Sequence, residues 1–252
     1  MRSLLLTLLA CALFTSMQGC ATKGTPISPL GTPQFVPQSQ PDSLVETGIR
    51  QDPNTGGMFL QWYAMPSAAG YRIYRSDTAN HSGTPIQFTL VGNVISSTVL
   101  NDTSMIDLAS IQTGTKYYYY FRAYASDGSL SPPSDTINYT LIPQTGLSYP
   151  AANALVDQSG LHFGWVNSVS GGGYTVVRVR DVSMVPNVTV WVSARFQTFD
   201  QYPSKPFDFD STATQQLISG HSYQWRVERF DIDGTGRPYE GSTSPWSTFT
   251  VK

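Results

Sequence analysis

Apolar and polar residues alternate with a period of two in several short stretches of this chain, which is the pattern of half-buried β-strands. In the first half of the chain these stretches cover residues 59–62, 70–75, 115–125 and 136–141. Clusters of Pro, Gly, Ser and Asp separate them and favour turns. No segment combines sustained apolar periodicity of 3.6 residues with helix caps, so the pattern predicts an all-β protein.

Three motifs in the first half of the chain have a characteristic spacing: Leu60-x-Trp62 with Pro66, Tyr71-x-Ile73-Tyr74-Arg75, and Gly114-Thr115-x-Tyr117-x-Tyr119-x-Phe121-x-Ala123. With these motifs, this half of the chain resembles a fibronectin type III domain. The resemblance implies a seven-stranded sandwich of about 100 residues. It also implies that Trp62 fills the core between the sheets and that the Tyr117 hydroxyl bonds back to the preceding corner.

The second half of the chain repeats the same order of motifs with a weaker match: Leu161-x-Phe163-x-Trp165, Gly173-Tyr174-x-Val176, and Leu217-x-x-Gly220-x-x-Tyr223-x-Trp225. Ser244-Pro245-Trp246-Ser247 parallels Ser131-Pro132-Pro133-Ser134 before the last strand. The departures are a turn at residues 171–173 and a long middle at 181–216, where we expect one extra strand around 188–194. The resemblance therefore implies two immunoglobulin-like (fibronectin type III) β-sandwiches in tandem.

The N-terminus has the charged start, apolar run (residues 4–14) and small-residue cleavage site of an export signal. Met17-Gln18-Gly19-Cys20 resembles a bacterial lipobox, with Met17 and Gln18 in place of the usual aliphatic and small residues. The resemblance implies that the mature chain starts at a lipidated Cys20, carrying diacylglycerol and an acyl chain such as palmitate. Several acyl chains make a stable anchor in the lipid bilayer. The apolar run is too short for a membrane-spanning helix. Ordinary secretion, with cleavage near Ala21, is the alternative to lipidation.

Residues 21–40 are rich in Pro, Gly, Ser, Thr and Gln, which predicts an extended tether. The predicted organisation is a signal peptide at 1–19, the lipidated Cys and tether at 20–41, one domain at 42–143 and a second at 144–252. Ala21 is not the Asp of an inner-membrane retention signal. This favours the outer membrane of a bacterial cell envelope, while the surface of a single-membrane bacterium stays open.

Charge and motifs exclude several classes of function. A net charge of −2 and a sequence pI of about 5.8 do not favour a nucleic-acid binder. No catalytic or cofactor motif occurs, and His81, His162 and His221 lack metal-ligand spacing. We therefore expect no enzyme activity, cofactor or metal.

One short motif leaves a calcium site open. Asp231-Ile232-Asp233-Gly234 begins like a calcium loop, but the EF-hand spacing does not continue, and an Asp-Gly turn is the preferred interpretation. Asp208 and Asp210 could add oxygen ligands from a neighbouring loop.

Strand alternation predicts one candidate binding face. If Tyr117, Tyr119 and Phe121 point inward, a row of aromatic and arginine side chains points outward on the same two strands. This row, the tyrosine face, comprises Arg72, Tyr74, Tyr118, Tyr120, Arg122 and Tyr124. The corresponding residues of the second unit, Gln224, Arg226 and Glu228, predict an ordinary solvated surface.

Tyr and Arg are frequent in binding hot spots, so the tyrosine face predicts a non-catalytic module that binds an envelope protein. Stacking on a sugar ring makes glycan binding the alternative. Sheet stabilisation or intrachain packing by the same tyrosines also stays open.

Overall fold

The computed structural model describes residues 30–76, 87–95, 104–168 and 172–252, and within these ranges no residue is helical. His81 and Cys20 lie outside the described residues. The first domain contains strands β1 (Arg50–Gln51), β2 (Met58–Gln61), β3 (Gly70–Ser76), β4 (Thr89–Ile95), β5 (Ser104–Asp107), β6 (Lys116–Tyr124) and β7 (Ile137–Leu141).

The second domain continues with β8 (Gly146–Tyr149), β9 (Ala154–Val156), β10 (His162–Val166), β11 (Gly173–Asp181), β12 (Val188–Val192), β13 (Phe196–Thr198), β14 (Ser204–Pro206), β15 (Ser222–Ile232), β16 (Pro238–Thr243) and β17 (Ser247–Val251). β12 confirms the extra strand expected around 188–194. The same region also forms β13, which pairs with β11, and β14, which pairs with β10.

The first domain is a sandwich of two sheets, β1-β2-β5 and β7-β6-β3-β4. Along β6 every second side chain is buried, as the alternation predicts. Trp62 is 1% exposed, and its ring centroid lies 5.3 Å from that of Tyr71 and 5.4 Å from that of Phe121. The inferred role of Trp62 between the sheets is confirmed.

Each domain has a tyrosine corner. In the first, the backbone N–H of Gln112 donates to the hydroxyl oxygen of Tyr117 at 2.8 Å. In the second, the N–H of Ile218 donates to the hydroxyl oxygen of Tyr223, also at 2.8 Å. Both bonds tie the start of the long central strand to the loop before it, which confirms the hydroxyl bond implied for Tyr117.

The first serine of each Ser-Pro motif forms the same pair of hydrogen bonds with the neighbouring strand in its domain. The Ser131 hydroxyl accepts the N–H of Ala123 at 3.0 Å, and the Ser244 hydroxyl accepts the N–H of Val227 at 3.0 Å. In each case the serine N–H donates back to the carbonyl of the same strand residue at 2.9 Å. A side chain thus replaces a ladder bond where the proline interrupts the strand.

The two domains share one sheet. β16 pairs in parallel with β7, with Gly241 opposite Leu141 and Glu240 opposite Thr140. The strand order β12-β11-β15-β16-β7-β6-β3-β4 therefore runs through both sandwiches. The N–H of Thr243 also donates to the Gln51 side chain at 2.8 Å. Backbone pairing, rather than a free linker, joins the domains.

The predicted boundary between tether and first domain, at residue 41, is wrong. Phe35 forms a β-bridge with Trp62, and its ring centroid lies 4.6 Å from that of Phe121. The apolar Phe35 and Val36 allow this part of a Pro- and Gln-rich segment to join the core. Residues 37–49, the docking loop, then leave the first domain, lie against the second, and return at β1.

Candidate interaction faces

The outer face of β11 and β15 is covered by the docking loop. Hydrogen bonds between Ser39 and Thr47 close the base of this loop, with the N–H of Thr47 donating to the Ser39 hydroxyl at 3.1 Å. Arg178 binds its backbone, donating through Nη1 to the Ser43 carbonyl at 2.8 Å and through Nη2 to the Pro41 carbonyl. The second domain thus recognises free carbonyl groups of a closed loop.

Glu46 brings a carboxylate to the same face. Arg226 donates through Nη2 to Glu46 and also to Glu228, the latter at 2.7 Å. Burial raises the pKa of Glu46, but the charges of Arg226 and Arg178 outweigh it and lower that pKa to about 2. The carboxylate is therefore held in its charged form. The Arg226 guanidinium also lies over the Trp246 ring, with its central carbon 4.4 Å from the ring centroid.

The expectation of a solvated surface on this face is wrong. Arg226 is 4% exposed and Glu228 is 8% exposed. Arg178 and Arg226 lie directly opposite each other on the two strands. Two like charges in that position are unfavourable without counter-charges, and Glu46 and Glu228 supply them. Strand alternation predicted the side of the sheet correctly but could not predict that another segment covers it.

The tyrosine face of the first domain lies on the side of β3 and β6 that points away from that domain's core. All six predicted residues point outward there, and all six are partly exposed. Tyr74 lies opposite Tyr120, and Arg72 lies opposite Arg122. The structure therefore brings the predicted set together in two facing rows.

The aromatic rings of the tyrosine face pack on one another. The Tyr74 and Tyr120 rings are stacked, with centroids 4.7 Å apart and an interplanar angle of 11°. Phe88 contacts Tyr120 edge-on at 4.8 Å. Burial, followed by the neighbouring Tyr74, raises the pKa of Tyr120. Each stacked ring uses one flat side on its neighbour.

The two ends of the tyrosine face contain cation–π contacts. The Arg72 guanidinium lies 5.5 Å from the Tyr124 ring centroid, and the Lys116 ammonium lies 5.7 Å from that of Tyr118. Tyr124 also folds over Gly70, where an added Cβ would lie only 2.4 Å from the Tyr124 hydroxyl. Glycine at position 70 is what lets this ring lie flat on the sheet.

β4 also contributes to this surface, and the predicted strands did not include it. Leu90 lies opposite Tyr74 and is 53% exposed, while Ile95 lies opposite Gly70 and is 69% exposed. Phe88, Leu90, Val91, Val94 and Ile95 make residues 88–95 largely apolar, which was the available signal, but this strand was not among those predicted. Leu90 and Ile95 extend the tyrosine face toward the last strand of the sheet.

The carboxylates of Asp233 and Asp210, in the candidate calcium loops, accept hydrogen bonds from nearby groups of the protein. Asp233 Oδ1 accepts the backbone N–H groups of Thr235 and Arg237 at 2.8 and 3.1 Å. Hydrogen bonds from the Thr235 side chain and backbone lower the pKa of Asp233. Asp210 accepts the Trp191 indole N–H at 3.0 Å. These contacts support the Asp-Gly turn, and the described residues contain no group of three or more potential metal-binding side chains.

The two described histidines lie apart. His162 stacks on Tyr149 at 4.3 Å between ring centroids, and His221 Nδ1 lies 2.7 Å from Asp181 Oδ2. A bilayer-spanning helix is likewise not found among the residues for which the structure gives a description.

The strand order, the two tyrosine corners and the paired sheets define a tandem of fibronectin type III-like β-sandwiches. No protein-family model matches the chain, and no curated protein matches it. Among solved structures, the chain is similar to an Fn3-like protein from Clostridium thermocellum, with 24% identity, a TM-score of 0.31, and coverage of 44% of this chain and 92% of that one.

Two further structures contain several such domains. The chicken CNTN1 FN1–FN3 domains are 13% identical, with a TM-score of 0.28, over 89% of this chain and 67% of theirs. A two-domain fibronectin type III segment from chicken tenascin is 13% identical, with a TM-score of 0.26, over 79% of this chain and 93% of that segment.

Proposed function

We propose that this chain is a lipid-anchored protein of the bacterial cell envelope that acts as a non-catalytic protein-binding or scaffolding module. Acylated Cys20 holds it in the bilayer, with the outer membrane favoured over the inner membrane. The two shared-sheet domains then present the tyrosine face to a second envelope protein.

One contrast between the domains carries the binding role. In the second domain, the outer face of β11 and β15 is covered by the docking loop, and Arg226 is 4% exposed. In the first domain, the outward face of β3 and β6 keeps its tyrosines and arginines partly exposed and adds the exposed Leu90 and Ile95. Exposed apolar and aromatic groups beside arginine are typical of protein interaction sites.

Ring geometry favours a protein partner over the glycan alternative. A sugar ring needs the flat side of an aromatic ring, but Tyr74 and Tyr120 stack on each other and Phe88 packs on Tyr120. These contacts reduce the flat area open to a sugar, while the exposed hydroxyls, ring edges and remaining flat sides suit hydrogen bonding and packing against a protein surface. Retardation of the mature chain in a polysaccharide affinity gel, lost in Tyr118→Ser with Tyr120→Ser, would instead support the glycan alternative.

In-cell cross-linking followed by mass spectrometry tests the binding role. The native chain is compared with a Tyr74, Tyr118 and Tyr120 triple serine variant. The matched control replaces three exposed tyrosines elsewhere by serine, namely Tyr63, Tyr149 and Tyr202, which are 52%, 38% and 70% exposed. We expect one envelope protein to cross-link to the native and control chains and not to the triple variant. Equal cross-links in all three, or none, would contradict the proposal.

The anchor is tested separately at Cys20. Metabolic labelling with a palmitate analogue is expected to mark the native chain, and Cys20→Ser is expected to lose both the label and membrane association. If the native chain is unlabelled and released, simple secretion after cleavage near Ala21 is the better account.

A further inference from the structure

Each domain places a pair of arginines directly opposite each other on the side of its long sheet that points away from its own core. In the second domain the pair is Arg178 and Arg226, and in the first it is Arg72 and Arg122. Two cations side by side on adjacent strands repel each other unless an anion or several acceptors lie between them. The second domain shows how this fold resolves that repulsion.

The pair in the second domain binds a closed loop. Arg178 donates to two backbone carbonyls of the docking loop, and Arg226 donates to the carboxylate of Glu46. Glu46 contributes one negative charge to the arginine pair, the loop backbone contributes carbonyl oxygens, and Ser39 and Thr47 close the base of the loop. This set of contacts is the chemistry of an acidic loop recognised by arginine.

Among the described residues, no outward side chain of β3 or β6 supplies a counter-charge to the pair in the first domain. The outward residues of β3 and β6, all of which are described, include Arg72, Arg122 and Lys116 and no Asp or Glu. Arg72 has the Tyr124 ring beside it at 5.5 Å, which is a weaker partner than a carboxylate. The face therefore has a local positive charge, although the whole chain is slightly acidic.

The two sites are related but not identical. Arg226 follows the corner tyrosine of its strand by three residues, and Arg122 follows Tyr117 by five. The stacked Tyr74 and Tyr120 take the position that the arginine pair has in the second domain. The first domain thus combines a displaced cationic pair with an apolar surface that reaches the exposed Leu90.

We propose that the tyrosine face binds an acidic loop of the partner protein, with a carboxylate held between Arg72 and Arg122 and an apolar side chain packed on Tyr74, Tyr120 and Leu90. This inference rests on the proposed function and specifies the chemistry of the partner. The docking loop is the intramolecular counterpart of that partner on the second domain.

The test uses phage-displayed peptides of eight random residues closed into a loop by two flanking cysteines, selected on the mature full-length chain. We expect the selected loops to be enriched in Asp and Glu relative to the unselected library. Binding of the best loop, measured by fluorescence anisotropy, is expected to weaken at least tenfold in Arg72→Gln with Arg122→Gln. It should also weaken as salt rises from about 0.05 to 0.5 M, because the interaction is between charges.

Two further variants separate the site from general charge and from folding. Lys205→Gln with Lys252→Gln removes the same charge from the second domain and should leave binding unchanged. Arg72→Lys with Arg122→Lys keeps the charge and should retain a large part of the binding. Each variant is compared with the native chain by thermal melting, so that a lost fold is recognised.

The inference is overturned if the selected loops show no acidic enrichment. It is also overturned if Arg72→Gln with Arg122→Gln binds the loop as well as Lys205→Gln with Lys252→Gln does. That result, together with cross-links lost in the tyrosine variant, would leave the proposed function in place and remove only the acidic loop. Absence of any tyrosine-dependent cross-link in cells would remove the proposed function itself.

Discussion

Glu46 and Arg226 form an ion pair between segments 180 residues apart in sequence. The carboxylate comes from the docking loop, which leaves the first domain, and the guanidinium comes from the central strand of the second. Arg226 is 4% exposed, whereas the Glu46 side chain is 24% exposed. The pair therefore closes the edge of a buried charge cluster, and its loss affects both domains.

Replacing Glu46 with Gln should release the docking loop. The neutral amide leaves Arg178 and Arg226 with one counter-charge, Glu228, in place of two. We expect the free energy of unfolding to fall by about 1 to 3 kcal/mol, the cost of weakening a buried charged hydrogen bond. Urea denaturation measures this loss, and hydrogen exchange at the Thr47 amide should become faster.

Asp42→Asn is the matched control, because it removes the same charge from the same loop. Asp42 forms none of the ion pairs found among the described residues. An equal loss of stability in both variants would show that the loop's overall charge, and not the Glu46 contact, holds it in place.

The docking loop should also respond to acid. The pKa of Glu46 is lowered from 4.5 to about 2 in the folded chain. A lowered pKa stabilises the fold fully above the unfolded value, and this stabilisation disappears as the pH falls from about 4.5 to about 2. The difference in unfolding free energy between the native chain and Glu46→Gln should therefore shrink over that window, from at most about 3 kcal/mol. A difference that stays constant with pH would contradict the assignment.

Local patterns in the sequence predicted what each strand does within its own domain. Trp62 and Tyr117 lie in motifs of a few residues, and their burial and corner bond are what the resemblance to a fibronectin type III domain implied. The tyrosine face followed from strand alternation. What covers a face is a different question, because alternation distinguishes only two sides of a strand.

Several features that the sequence did not reveal depend on contacts between distant segments. Arg226 and Glu228 look like surface residues until the docking loop covers them from 180 positions away. The shared sheet likewise requires β7 to meet β16, about 100 residues later, through only two residue pairs. No short-range periodicity records such a contact. The boundary at residue 41 failed similarly, since one aromatic residue, Phe35, binds an otherwise tether-like segment into the core.

The two tyrosine corners offer a paired test of the repeat. Tyr117→Phe and Tyr223→Phe each remove the acceptor of one backbone N–H, from Gln112 or Ile218 respectively. Each change should lower stability by about 1 kcal/mol, the usual net value of such a bond. Thermal melting compares them with Tyr63→Phe, a half-exposed tyrosine, which should melt like the native chain. If all three variants change the melting temperature by a similar small amount, the corner bonds do not stabilise the domains.

Asp107 should be the most sensitive polar residue of the first domain. Its carboxylate accepts from Arg75 Nη1 and from the Tyr119 hydroxyl, each at 2.9 Å, and it is 2% exposed. Asp107→Ala leaves the Arg75 charge without this partner, so we expect a loss of about 3 to 5 kcal/mol. Asp157→Ala, which breaks an exposed pair with Lys252, should cost less than about 1 kcal/mol. Urea denaturation of both variants checks the contrast, which comparable losses would refute.

The junction between the domains can be tested at Gly241. A Cβ added there would lie 2.5 Å from the Tyr139 hydroxyl and 2.7 Å from the Arg229 carbonyl oxygen, closer than real Cβ contacts allow. Because Gly241 pairs with Leu141, Gly241→Ala must push β16 away from β7 or distort β15, the neighbour of β16 on its other edge. Overpacking of this kind costs about 1 to 3 kcal/mol.

We expect Gly241→Ala to lower the melting temperature and to increase the maximum dimension of the chain in small-angle X-ray scattering, as the shared sheet opens at its two-residue seam. Gly234→Ala is the control, since an added Cβ there meets nothing within 4 Å. Lower stability with unchanged scattering would mean that other contacts, such as that of Gln51 with Thr243, hold the domains together without the seam. Identical behaviour of the two alanine variants would mean that β16 tolerates the displacement, and that the parallel pairing contributes little to the coupling of the domains.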